Sequence, residues 1–414
     1  MIAKITPSKL NGEITAPPSK SFAHRLIISA CLSKKEASVL NVGDSKDVIA
    51  TANAMQSLGF DCYIENNNFY VKGYQKKDEA VINCLESGST MRFLIPVALA
   101  LGCKATFTGS EKLMQRPIDA LCDCLKSHNI TIDGHSFCGK LTGGKFIIDA
   151  SVSSQFVTGL LLALPILPED SEIEVIGKKV SAPYIDITLS VLEKSGIKIE
   201  KKKSGFFIGK NQKYDTPKVS ICEGDWSGSA FFIAGGALFG DISIKGLNIN
   251  SPQGDKKIVD ILKEMGADIK IEQDNIRAKI GNKLHAVEID CANTPDIAQI
   301  VAVCCAMANG TSKIHGIENL SVKESDREKA ILDMLNGAGI KAESDGKTIT
   351  IKGGSPQGFI LDAKNDHRTV MSASILATGA SGKSQIIGAE ASKKSYPKFF
   401  DDYTKLGGNV NVDI

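Results

Sequence analysis

Lys20, Ser21 and Arg25 stand close together in Pro17-Pro18-Ser19-Lys20-Ser21-Phe22-Ala23-His24-Arg25, and an apolar run from Leu26 to Leu32 follows. Arg25 lies four residues after Ser21, about one helical turn, so the two face the same way. Two cations, a hydroxyl and the unsatisfied N–H groups of a positive helix end suit an anion. The prolines close the preceding strand, because proline has no N–H, and Ser19 stands where an N-cap belongs.

Five later stretches follow the same plan. Glu86-Ser87-Gly88-Ser89-Thr90-Met91-Arg92 places a glycine that permits close backbone approach. Ser151-Val152-Ser153-Ser154-Gln155 is rich in hydroxyl and amide donors, and Gly224-Asp225-Trp226-Ser227-Gly228-Ser229 carries the one tryptophan. Thr294-Pro295-Asp296 and Asp366-His367-Arg368 complete the set. Further cations lie between them: Arg116 before Pro117, Lys323 and Arg327 around Glu324, and Lys394. Helix capping is the commonest use of such serines and aspartates, and it suffices for Ser227 and Ser229. It leaves the cation set unexplained. A relaxed Walker A pattern, Ala377 to Ser384, has a helix before it and a strand after it, the reverse of what a P-loop needs.

The elements that position these residues repeat. Six amphipathic helices end in Gly or Asn before a strand, at positions 59, 129, 196, 266, 339 and 407, spaced 67 to 73 apart. Gly or Asn there suits a left-handed C-cap. Hairpin chemistry follows most of them, clearest at Asp345-Gly346 and Asn66-Asn67-Asn68. Upstream of each lies a second helix, apolar nearly all round and therefore buried, starting near Ser21, Ser89, Ser154, Ser227, Asp296 and His367. The unit is strand, buried helix, strand, amphipathic helix and hairpin, and six such units fill the chain.

Composition sets the frame. The 414 residues are too many for one ordinary core, and the expected domains are 17–224, then 1–16 with 225–414. Hydrophobic residues make 43% and charged ones 23%, with a net charge of +2, so neither nucleic acid nor a membrane surface is an expected partner. The longest apolar run, Phe93 to Leu101, is far short of the roughly 20 residues that span a bilayer. No secretory core opens the chain, and the cytoplasm is the expected location. Eleven cysteines form no disulfide framework, and neither Cys-x-x-Cys nor His-x-x-x-His is present, so no metal site is expected.

Pro-Ser-Lys-Ser…Arg, Glu-Ser-Gly-Ser-Thr-Met-Arg, Gln-Arg-Pro, Ser-Ser-Gln-Phe, Pro-Tyr-Ile-Asp-Ile-Thr, Lys-Glu-Ser-Asp-Arg and Asp-His-Arg occur in order from about Ile5 onward. Together they resemble the 3-phosphoshikimate 1-carboxyvinyltransferase (EPSP synthase) family of enolpyruvyl transferases. The resemblance implies an α/β (α+β) fold of two similar domains, each of three βαβαββ repeats in an inside-out α/β barrel. It implies an active site in the interdomain cleft. The reaction would move the enolpyruvyl group of phosphoenolpyruvate to the 5-hydroxyl of shikimate 3-phosphate and release phosphate. No metal or organic cofactor is implied, and the chain is expected to act as a monomer.

Carried over by position, Lys20, Ser21, Arg25, Ser153, Ser154, Gln155, Ser181, Tyr184, Asp296, Asn319 and Lys323 resemble the shikimate 3-phosphate ligands. Lys20, Gly88, Arg116, Gln155, Arg327, Arg368 and Lys394 resemble the phosphoenolpyruvate site. Asp296 matches the proton acceptor near the 5-hydroxyl and Glu324 the proton donor to the methylene carbon. Cations beside Glu324 lower a carboxyl pKa, the wrong direction for a donor, so Lys20 stands as the alternative. Ala182 departs from the family, which often has lysine before the Pro-Tyr-Ile-Asp motif.

Two rivals remain at this point. The sister UDP-N-acetylglucosamine enolpyruvyl transferase family places a reactive cysteine in the loop before its Arg-Pro motif, and Gly109 to Gln115 has none. A non-catalytic anion-binding homologue should lose catalytic side chains first, yet Lys20, Asp296, Glu324 and Lys394 are all present.

Overall fold

Residues 1–177 and 182–413 are described by a computed structural model. They form two compact units, Pro18–Glu223 and Met1–Pro17 with Gly224–Ile414. The edge at Pro17 has a simple cause: the Asp225 N–H donates to the Pro17 carbonyl (2.7 Å), whereas the Ser19 N–H donates to Glu223 (2.8 Å).

Each unit holds three four-stranded sheets and one hydrophobic core. The six apolar helices are Lys20–Leu32, Gly88–Ala100, Gln155–Ala163, Trp226–Phe239, Ala298–Met307 and His367–Thr378. They are buried almost throughout, as apolarity on every face requires. Strands such as Gly144–Asp149 and Thr348–Lys352 instead alternate buried with exposed or half-buried positions. Helices therefore lie inside and sheets outside, the inside-out arrangement expected.

The amphipathic helices end as their C-cap residues dictate. Gly59, Asn129, Gly196, Gly266, Gly339 and Gly407 all take positive φ, between 61° and 99°. Asn66 and Asn67 are both left-handed (φ 48° and 63°), the geometry of a tight hairpin turn between Phe60–Glu65 and Asn68–Tyr74. Gly346 (φ 84°) turns the chain between Ala342–Ser344 and Thr348–Lys352.

Within each sheet the leading strand is parallel to the strand after the buried helix, which then pairs antiparallel with the hairpin. Glu79–Asn83, Lys104–Thr108, Ser136–Cys138 and Thr131–Asp133 show the pattern. The contiguous unit read from the sequence needs correction in three places. Leu10–Thr15, which precedes the first buried helix, is parallel to Gly240–Lys245, while Val219–Ile221, which precedes the fourth, is parallel to Ala37–Leu40. The first and fourth units have exchanged leading strands, because the chain passes from one unit to the other just after each strand. The sixth hairpin is completed from the far end of the chain, where Ile2–Thr6 pairs antiparallel with both Ser384–Ile387 and Asn409–Asp413.

The Walker-like stretch has the context that disqualifies it, with helix His367–Thr378 before it and strand Ser384–Ile387 after. Among the described residues no helix is long and apolar enough to cross a membrane.

Candidate active site

In the Pro18–Glu223 unit Lys20, Ser21, Arg25, Gly88, Ser153, Ser154 and Gln155 stand at the starts of the buried helices, while Tyr184 lies in helix Ala182–Lys194 and Arg116 follows helix Glu111–Met114. Arg25 is 2% exposed. Its Nε donates to Thr188 Oγ1 (2.8 Å), and its Nη atoms donate to the carbonyls of Ser21 (2.6 Å) and Tyr184 (3.0 Å). The guanidinium also lies 4.9 Å from the centre of the Phe93 ring. Burial pushes its pKa down to about 9, so it stays charged at neutral pH. Among the described residues no carboxylate bonds Arg25: a buried cation surrounded by neutral oxygens is poised for an anionic ligand.

Lys20 differs, since its ammonium is held by Asp47 (2.8 Å). Gln155 is oriented from two sides, accepting from Arg92 Nη1 (2.8 Å) and donating to Ser89 Oγ (2.9 Å). Its own N–H donates to Ser153 Oγ (3.2 Å), and Ser153 and Ser154 are buried. At Gly88 a Cβ would stand 2.8 Å from Arg116 Nη1, so only glycine lets that guanidinium rest on the helix start. Tyr184 meets Arg25 through its carbonyl. Ser181 lies outside the described residues.

In the other unit the site is a network of charges. Arg327, with its side chain 1% exposed, reaches three carboxylates: Asp296 through Nη1 (2.8 Å), Glu324 through Nη2 (2.9 Å) and Asp366 through Nε (2.9 Å). The second oxygen of Asp296 accepts from Arg368 Nη2 (3.1 Å). Asp296 is partly buried, and burial alone would raise its pKa. The Arg368 and Arg327 guanidinium groups outweigh that and hold the carboxyl well below its usual range, with Lys323 adding to the pull. Arg327 is raised in turn, the carboxylates overcoming its burial.

Asp366 serves twice. It caps helix His367–Thr378 through the Arg368 N–H (2.8 Å), and it takes the Ser325 hydroxyl (2.8 Å) besides Arg327. Lys394, only 7% exposed, donates to the Asn365 carbonyl (2.7 Å). Asn319 lies in the loop between strand Thr311–His315 and helix Arg327–Gly337. Asp296 itself precedes helix Ala298–Met307 rather than opening it.

Five polar residues here are absent from the expected set: Asp47, Arg92, Asp255, Asp366 and His24. Asp47 sits in the first turn of helix Lys46–Ser57, and Arg92 lies four residues after Gly88, the spacing that relates Arg25 to Ser21. Asp255 is 3% exposed, hydrogen-bonded to Ser227 and preceded by no signal beyond a Gln-Gly-Asp turn. Burial first, then the charge of Asp296, push its carboxyl up to about 7.

Each unit thus carries three buried helices with polar or charged residues at their starts, and in the Gly224–Ile414 unit one carboxylate is shared between two arginines. Solved structures share the fold: EPSP synthase from Acinetobacter baumannii has a TM-score of 0.86 at 23% identity over 100% of both chains. The enolpyruvyl transferase NikO from Streptomyces tendae has a TM-score of 0.80 at 17% identity, over 99% of this chain and 98% of its own. In sequence, the EPSP synthase (3-phosphoshikimate 1-carboxyvinyltransferase) family matches residues 5–403. The 3-phosphoshikimate 1-carboxyvinyltransferase of Clostridium novyi is 40% identical, over 99% of this chain and 98% of its own. That of Methanocaldococcus jannaschii is 37% identical, over 100% and 99%. The chain belongs to the EPSP synthase family.

Proposed function

We propose that this chain transfers the enolpyruvyl group of phosphoenolpyruvate to the 5-hydroxyl of shikimate 3-phosphate, releasing phosphate by addition and elimination. The observation that carries the reading is the sharing of Asp296 between two buried arginines, with Glu324 on the same guanidinium. Both substrates carry a carboxylate and a phosphate, and arginine supplies bidentate donors to such groups. An anion arriving at Arg327 and Arg368 competes with Asp296 for the same N–H groups. As those contacts weaken, the Asp296 carboxylate becomes more basic and accepts the proton of the attacking hydroxyl. Phosphoenolpyruvate thus activates the base that the second substrate needs.

The other proton goes to the methylene carbon, and elimination takes one back from the resulting methyl group as phosphate leaves. Glu324 is assigned as the donor to that carbon, relieved of Arg327 by the same competition, and Lys20 is the alternative. Lys20, Ser21, Arg25, Ser153, Ser154, Gln155, Ser181, Tyr184, Asp296, Asn319 and Lys323 take shikimate 3-phosphate. Lys20, Gly88, Arg116, Gln155, Arg327, Arg368 and Lys394 take phosphoenolpyruvate. The reading treats the protein as a cytoplasmic monomer that needs neither metal nor organic cofactor.

The test is phosphate release by the purified chain with both substrates, which should match product one for one and ignore chelator. A UDP-sugar acceptor should give none above background. Release only with the UDP-sugar would reassign the acceptor, and release with neither, from folded protein, would leave an anion-binding homologue.

A further inference from the structure

Four polar side chains outside the ligand set form a continuous buried chain in the Pro18–Glu223 unit. His24 Nδ1 and Thr51 Oγ1 are 2.6 Å apart, Thr51 Oγ1 and Thr90 Oγ1 2.7 Å, and Thr90 Oγ1 donates to Ser87 Oγ at 2.7 Å. All four residues are 1% exposed or less. They join three helices, Lys20–Leu32, Lys46–Ser57 and Gly88–Ala100.

The spacing along the first two helices is matched. Lys20 and His24 are one turn apart, as are Asp47 and Thr51, so each pair shares a helix face. Lys20 meets Asp47 and His24 meets Thr51, two contacts that pin the helices in register. Thr51 passes the constraint to Thr90 and so to Ser87, the N-cap that also accepts from the Thr90 N–H (3.2 Å). The next residue is Gly88, on which the Arg116 guanidinium rests.

Counting hydrogens orders the chain. Thr90 spends its one hydroxyl hydrogen on Ser87, so it accepts from Thr51, whose other acceptor, the Asp47 carbonyl, stands farther off at 3.4 Å, and Thr51 accepts from His24 Nδ1–H. His24 Nε2, buried and with no hydrogen-bond partner among the described residues, then carries a lone pair. The reverse order would bury an orphan N–H there, the rarer and costlier case. Burial, then the positive Lys20 and Arg25, hold the His24 pKa well below its usual value and keep the ring neutral.

We propose that His24, Thr51 and Thr90 are positioning residues for phosphoenolpyruvate, a relay that holds the Gly88 helix start and its overlying Arg116 at a set distance from Lys20. The inference rests on the enolpyruvyl-transfer reading. Its test uses the full-length chain, varying each substrate in turn. Thr51→Val should raise the KM for phosphoenolpyruvate about tenfold while that for shikimate 3-phosphate moves less than about twofold, the loss of roughly one buried hydrogen bond. Thr51→Ser should restore it. An asparagine amide nitrogen overlays Nδ1 and a glutamine one overlays Nε2, so His24→Asn should keep phosphoenolpyruvate affinity and His24→Gln should lose it.

Both KM values rising together, in step with lost stability in urea, would reduce the relay to ordinary core packing. Equal behaviour of the two His24 variants would overturn its order. Should the wild type release no phosphate, the reaction has failed, and the relay is then judged by nitrogen NMR of His24. The Nδ1–H tautomer supports it and the Nε2–H tautomer overturns it.

Discussion

Replacing Asp296 by asparagine removes a base and also rearranges two arginines, and the structure separates the two effects. Asp296 Oδ1 accepts from Arg327 (2.8 Å) and Oδ2 from Arg368 (3.1 Å). An amide offers one oxygen, and its nitrogen must face a guanidinium that can only donate. Arg327 keeps Glu324 and Asp366, so the amide oxygen should turn to Arg368. One charge-assisted bond disappears, a stability loss of about 1.5–3 kcal/mol. Trp226, buried in the same unit, reports that loss as its fluorescence midpoint in urea. Turnover should fall by about 10²–10⁴ with the base gone. The KM for phosphoenolpyruvate should hold or drop, because the carboxylate that competed with the substrate anions for Arg327 and Arg368 has been neutralised. Phosphate release with each substrate varied gives both numbers. Near-normal turnover would make Asp296 an arginine tether and remove it from proton transfer. A steep rise in that KM would refute the competition argument even if turnover fell.

Other outcomes follow from single contacts. Gly88→Ala puts a methyl group 2.8 Å from Arg116 Nη1, the mobile end of a long side chain. Stability in urea should stay within about 1 kcal/mol, while phosphoenolpyruvate binding, followed by calorimetry, weakens; unchanged affinity would dissociate Arg116 from that subsite. Gly159→Ala meets backbone instead, the Arg92 carbonyl oxygen at 2.5 Å and Pro96 Cγ at 2.9 Å. Two buried helices must part, at a cost of about 1–3 kcal/mol in urea unfolding, and a neutral result would mean that the pair packs loosely enough to admit a methyl group. Asp255, with its carboxyl raised to about 7, holds a proton in the folded chain that the unfolded chain has released. Its contribution to stability is therefore complete below the ordinary carboxylate range and falls as pH rises toward 7. Asp255→Asn should abolish that fall and be more stable than wild type at pH 8 by about 2 kcal/mol; parallel pH profiles of the two urea midpoints would place the proton elsewhere.

What was legible in the sequence was whatever local chemistry encodes. The six C-caps could be read because only Gly or Asn accepts left-handed backbone cheaply, and the buried helices because apolarity all round leaves no face for water. The expected domain bounds already separated Leu10–Thr15 from Val219–Ile221, but the strand each pairs with could not be read. Both strands precede similar helices, and their partners are fixed by tertiary pairing rather than by anything in the strands. The same limit applies at the site. Arg327 announces itself in Lys-Glu-Ser-Asp-Arg, but its bond to Asp366 spans 39 residues. Asp366 alone looks like a helix cap, which it also is. His24 reads as a polar interruption on a buried helix until Thr51 and Thr90 are seen beside it.

The repeat also explains why the two units treat charge differently. The same device, a polar start on a buried helix, recurs six times, yet in Pro18–Glu223 Arg25 meets hydroxyls and carbonyls and, among the described residues, no carboxylate, although Lys20 beside it is paired with Asp47. Arg25 can take an anion without first breaking an ion pair, which suits firm binding of a phosphorylated ring. The starts around Asp296 and Asp366 instead lock their arginines to carboxylates. An anion there must displace a resident carboxylate, so its binding is weaker by the cost of that pair and a base is activated in exchange. Neutralising a carboxylate partner should therefore tighten anion binding at Arg327. Asp366→Asn, which leaves the Arg327 contacts to Asp296 and Glu324 in place, should raise the affinity for phosphoenolpyruvate. In the other unit, Thr188→Val removes a neutral partner of Arg25 and should change affinity for shikimate 3-phosphate by less than about tenfold. Calorimetry on both variants decides the matter: weaker phosphoenolpyruvate binding by Asp366→Asn would show that Asp366 serves the site by aiming Arg327, not by competing for it.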